Sequence, residues 1–197
     1  MQLKVNGNPL DITLENEKTV GDVLASFETE AEKSSLATVE ISLNGEKISA
    51  EKFDSIISTP LDSSTLIELS VISEEEVKSE FKALSASILE AQKPLLDLSV
   101  LLQSGKEKEG AKIISNLALE MDKFCHISRL SVLFPKLYKS ITIEDNSLND
   151  FLESLLPVLK DLKDAMENQD SVTVGDLAEY ELTPRLEQLS IALKNIA

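Results

Sequence analysis

The sequence predicts an α+β chain in two parts: a small sheet packed on one helix over residues 1–72, then an antiparallel four-helix bundle over 73–197. Three observations carry this reading. Four stretches within the first 72 residues alternate apolar and polar side chains with period two, as half-buried strands do. The rest of the chain repeats apolar residues at spacings of three and four, as amphipathic helices do. Between the two, "TLIELSVISEEEVKSEF" (65–81) passes from one period to the other with no loop.

The first strand, "MQLKVNG", sets Met1, Leu3 and Val5 against Gln2 and Lys4. Asn6-Gly7-Asn8 supplies the positive φ of a tight hairpin, and Leu10, Ile12 and Leu14 continue the alternation as a returning strand. In "EKTVGDVLASF", Thr19 caps a helix, Asp22 completes a capping box, and Val20, Val23, Leu24 and Phe27 share one face. Val39, Ile41 and Leu43 then alternate up to a second turn at Asn44-Gly45. Ile67, Leu69 and Val71 alternate in the last strand.

This order of strands, turns and helix resembles the β-grasp fold of ubiquitin and the small sulfur-carrier proteins. "KTVGDVL" is similar to the start of their helix, and "LNGEKISAEKFDSIISTPLDSSTLIELSVI" to their second half. Carriers of that family work through a free Gly-Gly carboxylate. The corresponding positions here are Ile72 and Ser73, with more than 120 residues following, so sulfur transfer or conjugation is not expected.

Ser73 and Glu76 form a second capping box, so the residue that ends the strand also starts a helix. From there Val77, Phe81, Leu84, Ile88, Ala91, Leu95, Leu98 and Leu102 make one long seam, with Gly105 placed to end it in a left-handed cap. A second helix carries Ile114, Leu117, Met121 and Phe124 on one face. A third carries Leu148, Leu152, Leu155, Leu159, Leu162 and Met166, and the last Leu182, Leu186, Leu189, Leu193 and Ile196. Four stripes in one chain can satisfy each other as a bundle. Pro94, Pro157 and Pro184 fall inside these patterns and are expected to kink their helices.

The formal charge of −16 argues against nucleic-acid and membrane-surface partners, because an acidic surface repels phosphate backbones and anionic lipids. Residues 1–72 hold 13 acidic and 5 basic side chains, a balance of −8. One cysteine, Cys125, rules out an internal disulfide and fits a reducing compartment. The N-terminus lacks the pattern of a signal peptide, and no apolar run reaches the length of a membrane span, so a cytoplasmic location is expected.

No constellation of residues names a reaction. Cys125 and His126 are neighbours, and consecutive helical residues point about 100° apart, so they do not pair as nucleophile and base; a buried thiol and a half-exposed imidazole are expected. One histidine and one cysteine make no zinc site. The carboxylate runs lack the frame of a calcium loop, and "SGKEKEG" lacks Walker spacing. The expectation is a non-enzyme with no cofactor and no metal.

The segment "MENQDSVTVGDLAEYELTPRLEQL" resembles a group of uncharacterised bacterial helical proteins in which an acidic-aromatic "EYEL" precedes a proline and an "LE" pair. Those residues are Tyr180, Glu181, Leu182, Pro184, Leu186 and Glu187. "GKEKEGAKIISNLALEMDKF" is similar to the second helix of that group. Tyr180, Glu181, Pro184 and Arg185 are the candidate partner-binding residues: an aromatic, two charges and a helix break. The expected function is protein binding as an adaptor, chaperone or regulator. The alternatives are a tailless carrier-like module docking on a partner enzyme and a self-associating structural protein; monomer and homodimer both remain open.

Overall fold

In the computed structural model, which describes residues 1–196, the chain divides into two compact units, Met1–Glu76 and Val77 onward. The first unit contains β1 (Gln2–Val5), β2 (Asn8–Leu10), α1 (Val20–Lys33), β3 (Leu36–Leu43), β4 (Glu46–Lys47), α2 (Ala50–Ile56) and β5 (Leu66–Ser73). The strands form one five-stranded sheet in the order β2-β1-β5-β3-β4, with β1 and β5 parallel and the other pairs antiparallel. Leu3, Ile67 and Leu69 from the sheet and Val20, Val23 and Leu24 from α1 make its core, flanked by Phe27, Ile41, Leu43 and Val71. Each such aliphatic contributes about 1.5–3 kcal/mol when fully buried.

Local chemistry places the turns and caps where the sequence predicts them. Asn6 and Gly7 take φ of 48° and 79°, and Asn44 and Gly45 take 52° and 83°. The Asn6 amide also reaches β5, accepting from the Val71 N–H at 2.8 Å and donating to the Val71 carbonyl at 3.1 Å. At α1, Thr19 Oγ1 accepts from the Asp22 N–H, and the Asp22 carboxylate accepts from the Thr19 N–H. That carboxyl is held below its ordinary value by the Lys18 and Thr19 N–H groups.

Two features of the sheet depart from expectation. β2 ends at Leu10, and Ile12 and Leu14 are each 40% exposed. Leu10 stands opposite Leu3 and β1 begins at Gln2, so residues beyond 11 have no strand facing them. On β3 the register shifts between Thr38 and Glu40, a β-bulge that skips Val39. Thr38 therefore stands opposite Val71 in place of Val39, whose side chain is 44% exposed. Helix α2 escaped the sequence reading because it is only seven residues long and fully buries none of them, although Phe53 and Ile56 stand three apart and Ile56 packs on the core.

The second period starts with α3 (Glu74–Gln92), which follows β5 directly. Ser73 Oγ accepts from the Glu76 N–H at 3.1 Å, while the Glu76 carboxylate accepts from the Ser73 N–H and hydroxyl, both at 2.7 Å. These bonds, the hydroxyl's first, hold the Glu76 carboxyl below its ordinary value. Then come a 3-10 segment (Lys93–Asp97), α4 (Leu98–Gln103), α5 (Glu107–Ser131), α6 (Pro135–Ser140), the hairpin β6 (Thr142–Ile143) and β7 (Asn146–Ser147), and α7 (Leu148–Glu167). α8 (Ser171–Asp176), a π-helical turn (Leu177–Leu182) and α9 (Thr183–Lys194) complete the described chain.

The core of this unit gathers Phe81, Leu84, Ile88, Leu95 and Leu98 with Phe124, Leu155, Leu186 and Leu189, all buried. Phe124 meets Phe151 edge-on, with ring centroids 6.4 Å apart. Two buried serines lock helix to helix: Ser85 Oγ donates to the Ser190 carbonyl at 2.8 Å, and Ser190 Oγ donates to the Ser85 carbonyl at 2.9 Å. Gly105, at φ 77°, ends α4; the Lys106 N–H reaches the Leu101 carbonyl and the Gly105 N–H that of Leu102.

The prolines act differently from simple kinks. At Pro94 the long seam tightens into the 3-10 segment, so the expected single helix is two helices with a tighter stretch between. At Pro184 the preceding turn widens instead, and the Thr183 N–H donates to the Ala178 carbonyl five residues back. Pro157 lies within α7 on its exposed side. The buried face of α7 is also rotated from the expected stripe: Leu148, Phe151, Leu155, Val158, Leu162 and Ala165 are buried, while Leu152, Leu159 and Met166 are only half-buried.

Candidate functional site

The four residues singled out from the sequence share one groove of about 470 Å³, which Tyr180, Glu181, Pro184 and Arg185 line together with Glu144 and Asp150. The π-helical turn and Pro184 place them there. Most of this groove's polar groups are already engaged. Arg185 Nη1 donates to the Glu181 carboxylate and, at 3.0 Å, to the Glu181 carbonyl. The Asp150 carboxylate accepts from the Ser147 hydroxyl at 2.7 Å, which caps α7. Tyr180 is 65% exposed, and its hydrogen bond to Glu179, with that carboxylate's charge, pushes the phenol above its ordinary value of 10.

A second groove, of about 580 Å³, lies between α5 and α7 and has the opposite character. Its floor is Leu117, Met121 and Leu162, all buried, and its walls are half-buried Ile114, Leu159 and Met166. Of the chain's three methionines, both internal ones sit here. Lys163 pairs with Glu167 at 3.3 Å on one rim, and Asp122 stands on the other with no ion pair among the described residues. Leu156, one turn before Leu159 on α7, is 64% exposed. The signal for this groove was in the sequence: α7 carries a broader apolar arc than one packed face needs.

Cys125 is half-buried and lines the apolar groove, whereas His126 is exposed and lines a different one with Glu80 and Lys123. The thiol is therefore less buried than expected, and the imidazole more exposed. The two side chains open onto separate surfaces. Among the described residues, no three His, Cys, Asp or Glu side chains converge as metal ligands, and no helix is long and apolar enough to cross a membrane.

Comparison with known proteins follows the same division of the chain. Residues 1–73 match the TP0873 N-terminal domain, and residues 88–192 match a domain of unknown function, DUF8042. An uncharacterized protein of Treponema pallidum (strain Nichols) is 31% identical over 190 residues, covering 96% of this chain and 94% of its own. The chain belongs to the DUF8042 family. In its Treponema relative the likeness runs through both parts, so the pairing of the two domains is shared. No solved structure matches.

Proposed function

We propose that this chain is a non-catalytic protein-binding adaptor, a β-grasp unit followed by an antiparallel bundle of four helical runs, and that the α5–α7 groove holds an amphipathic helix of its partner. The β-grasp reading is supported by the strand order β2-β1-β5-β3-β4 with parallel β1 and β5 beside α1. The bundle reading is supported by helical runs over 74–103, 107–131, 148–167 and 171–194 with tight connections at Gly105 and around Asn168.

One observation carries the function: an open apolar groove between two helices, with both internal methionines in its lining. Unbranched thioether side chains adapt to partners of varied shape, and a groove between two helices suits the apolar face of a third. The unpaired Asp122 carboxylate favours a basic residue flanking that face. The carrier-like alternative has less to stand on, since the centre of the sheet face opposite the core is polar, with Lys4 paired to Glu68 at 3.1 Å.

The test compares capture of partners from lysate of the source cells by the native chain, by Leu159→Lys with Met166→Lys, and by Tyr180, Glu181 and Arg185 changed to alanine, all verified as folded by circular dichroism. A protein captured by the native and alanine chains but lost from the lysine variant supports the groove. Equal recovery on all three overturns it. Loss from the alanine variant alone moves the site to the π-helical turn.

A further inference from the structure

The sheet unit carries a second surface, unrelated to the helical groove. β3 is eight residues long and pairs with β5 along its length. On its other side only Ser42 and Leu43 face β4, and the Ile48 N–H reaches the Ile41 carbonyl at 2.9 Å. Residues 36–40 have no strand on that side among the described residues. Beside this edge lies a groove of about 340 Å³ lined by Thr38, Val39, Ile41, Ile48 and Phe53, with Glu28 of α1 on it as well. Val39 is exposed because of the bulge, Phe53 is 37% exposed, and Thr38 Oγ1 is buried with no hydrogen-bond partner.

We propose that this edge takes an extended segment of a second protein as an added strand, with apolar residues alternating with Lys or Arg. The geometry names the occupant more narrowly than an apolar patch would. A row of free backbone N–H and C=O groups is matched by extended backbone, and successive side chains of such a strand point to opposite sides. One set then packs on Val39, Ile48 and Phe53. Glu28 forms no ion pair among the described residues, and the −8 balance of residues 1–72 favours a cationic segment. The bulge breaks the regular spacing of the edge, which discourages indiscriminate pairing and restricts the register an incoming strand can take.

The experiment uses the full chain and a short fluorescent peptide of alternating valine and lysine, read by anisotropy and by amide hydrogen exchange. Controls are the valine–glutamate peptide and a valine–lysine peptide broken by a central proline. The expected result is saturable binding that slows exchange at residues 36–40 by at least about tenfold. The glutamate and proline peptides should bind at least about tenfold more weakly, since repelled charge and a missing N–H each remove a required interaction. Val39→Lys and Phe53→Ala, both at exposed positions, should weaken binding while leaving the circular dichroism unchanged. Leu159→Lys with Met166→Lys should leave peptide binding intact, so failure of the helical-groove reading is told apart from failure of this one. Equal binding of the proline peptide overturns the proposal, as does binding without protection at 36–40. Protection that needs no peptide and grows with protein concentration overturns it too, because the edge would then pair with a second copy.

Discussion

The sheet unit and the helical unit use their apolar residues differently. In the first, the alternating positions of β3 and β5 reach one small core except Val39, displaced by a bulge, while Leu10, Ile12 and Leu14 stay exposed where the hairpin runs out. In the second, the helices carry more apolar side chains than the core accepts. The surplus on α7, Leu152, Leu156, Leu159 and Met166, lies half-buried or exposed. Where pattern and burial part company, each unit has an open surface: a strand edge in one, a groove in the other.

The largest effects should come from the two cores. Phe81→Ala and Leu69→Ala, both at fully buried positions, should each cost about 2–5 kcal/mol in urea denaturation. Losses below about 1 kcal/mol would mean that the packing around them is loose. Close backbone approach comes next. A Cβ on Gly175 would lie 2.4 Å from Ser99 Cβ, and one on Gly21 would lie 2.7 Å from the Ile57 carbonyl oxygen. Gly175→Ala and Gly21→Ala should each destabilise by about 1–3 kcal/mol. The Gly175 variant should fare at least as badly, because Ser99 Cβ is fixed to its backbone and no rotamer change moves it away.

Capping should contribute less. Ser73→Ala and Thr19→Ala should each cost about 1 kcal/mol at neutral pH. Asp22 and Glu76 have carboxyls lowered in the folded chain, so their contribution is complete above their ordinary values of 3.8 and 4.5 and fades as the pH falls through the lowered ones. The gap between native and variant should therefore narrow in acid, as read by melting temperature against pH, without closing, because the Ser73 and Thr19 hydroxyls still accept from the Glu76 and Asp22 N–H groups. The smallest effect sharpens the comparison most. Leu156→Lys should change stability by no more than about 0.5 kcal/mol, although Val158→Lys, two residues on, should unfold the helical unit.

Much of this architecture was legible in the residues. Alternation, two Asn-Gly turns and two capping boxes mark the strands and helix starts, and Ser73 marks the joint, because each rests on chemistry between near neighbours. What escaped needed information from across the fold. The bulge at Val39 depends on how β3 lies against β5, and β2 stops at Leu10 because its partner does. The short hairpin after α6 has two-residue strands, too brief for a period. The candidate residues around Tyr180 were found from local text and do share a groove, and the i, i+4 spacing of Glu181 and Arg185 already allows their pair, whereas the place of Asp150 in that groove needed the fold.

The wide turn before Pro184 turns chain length into information. A π turn holds one residue more than an α-helix would, so deleting a single position within Leu177–Leu182 would regularise the backbone. The flanking helices would keep their facing, because the wide turn is what absorbs the extra residue, but the positions within the turn, Tyr180 among them, would change face. Counting residues between Gly175 and Pro184 in any homologue is thus a reading of whether that surface has been kept, with no structure required.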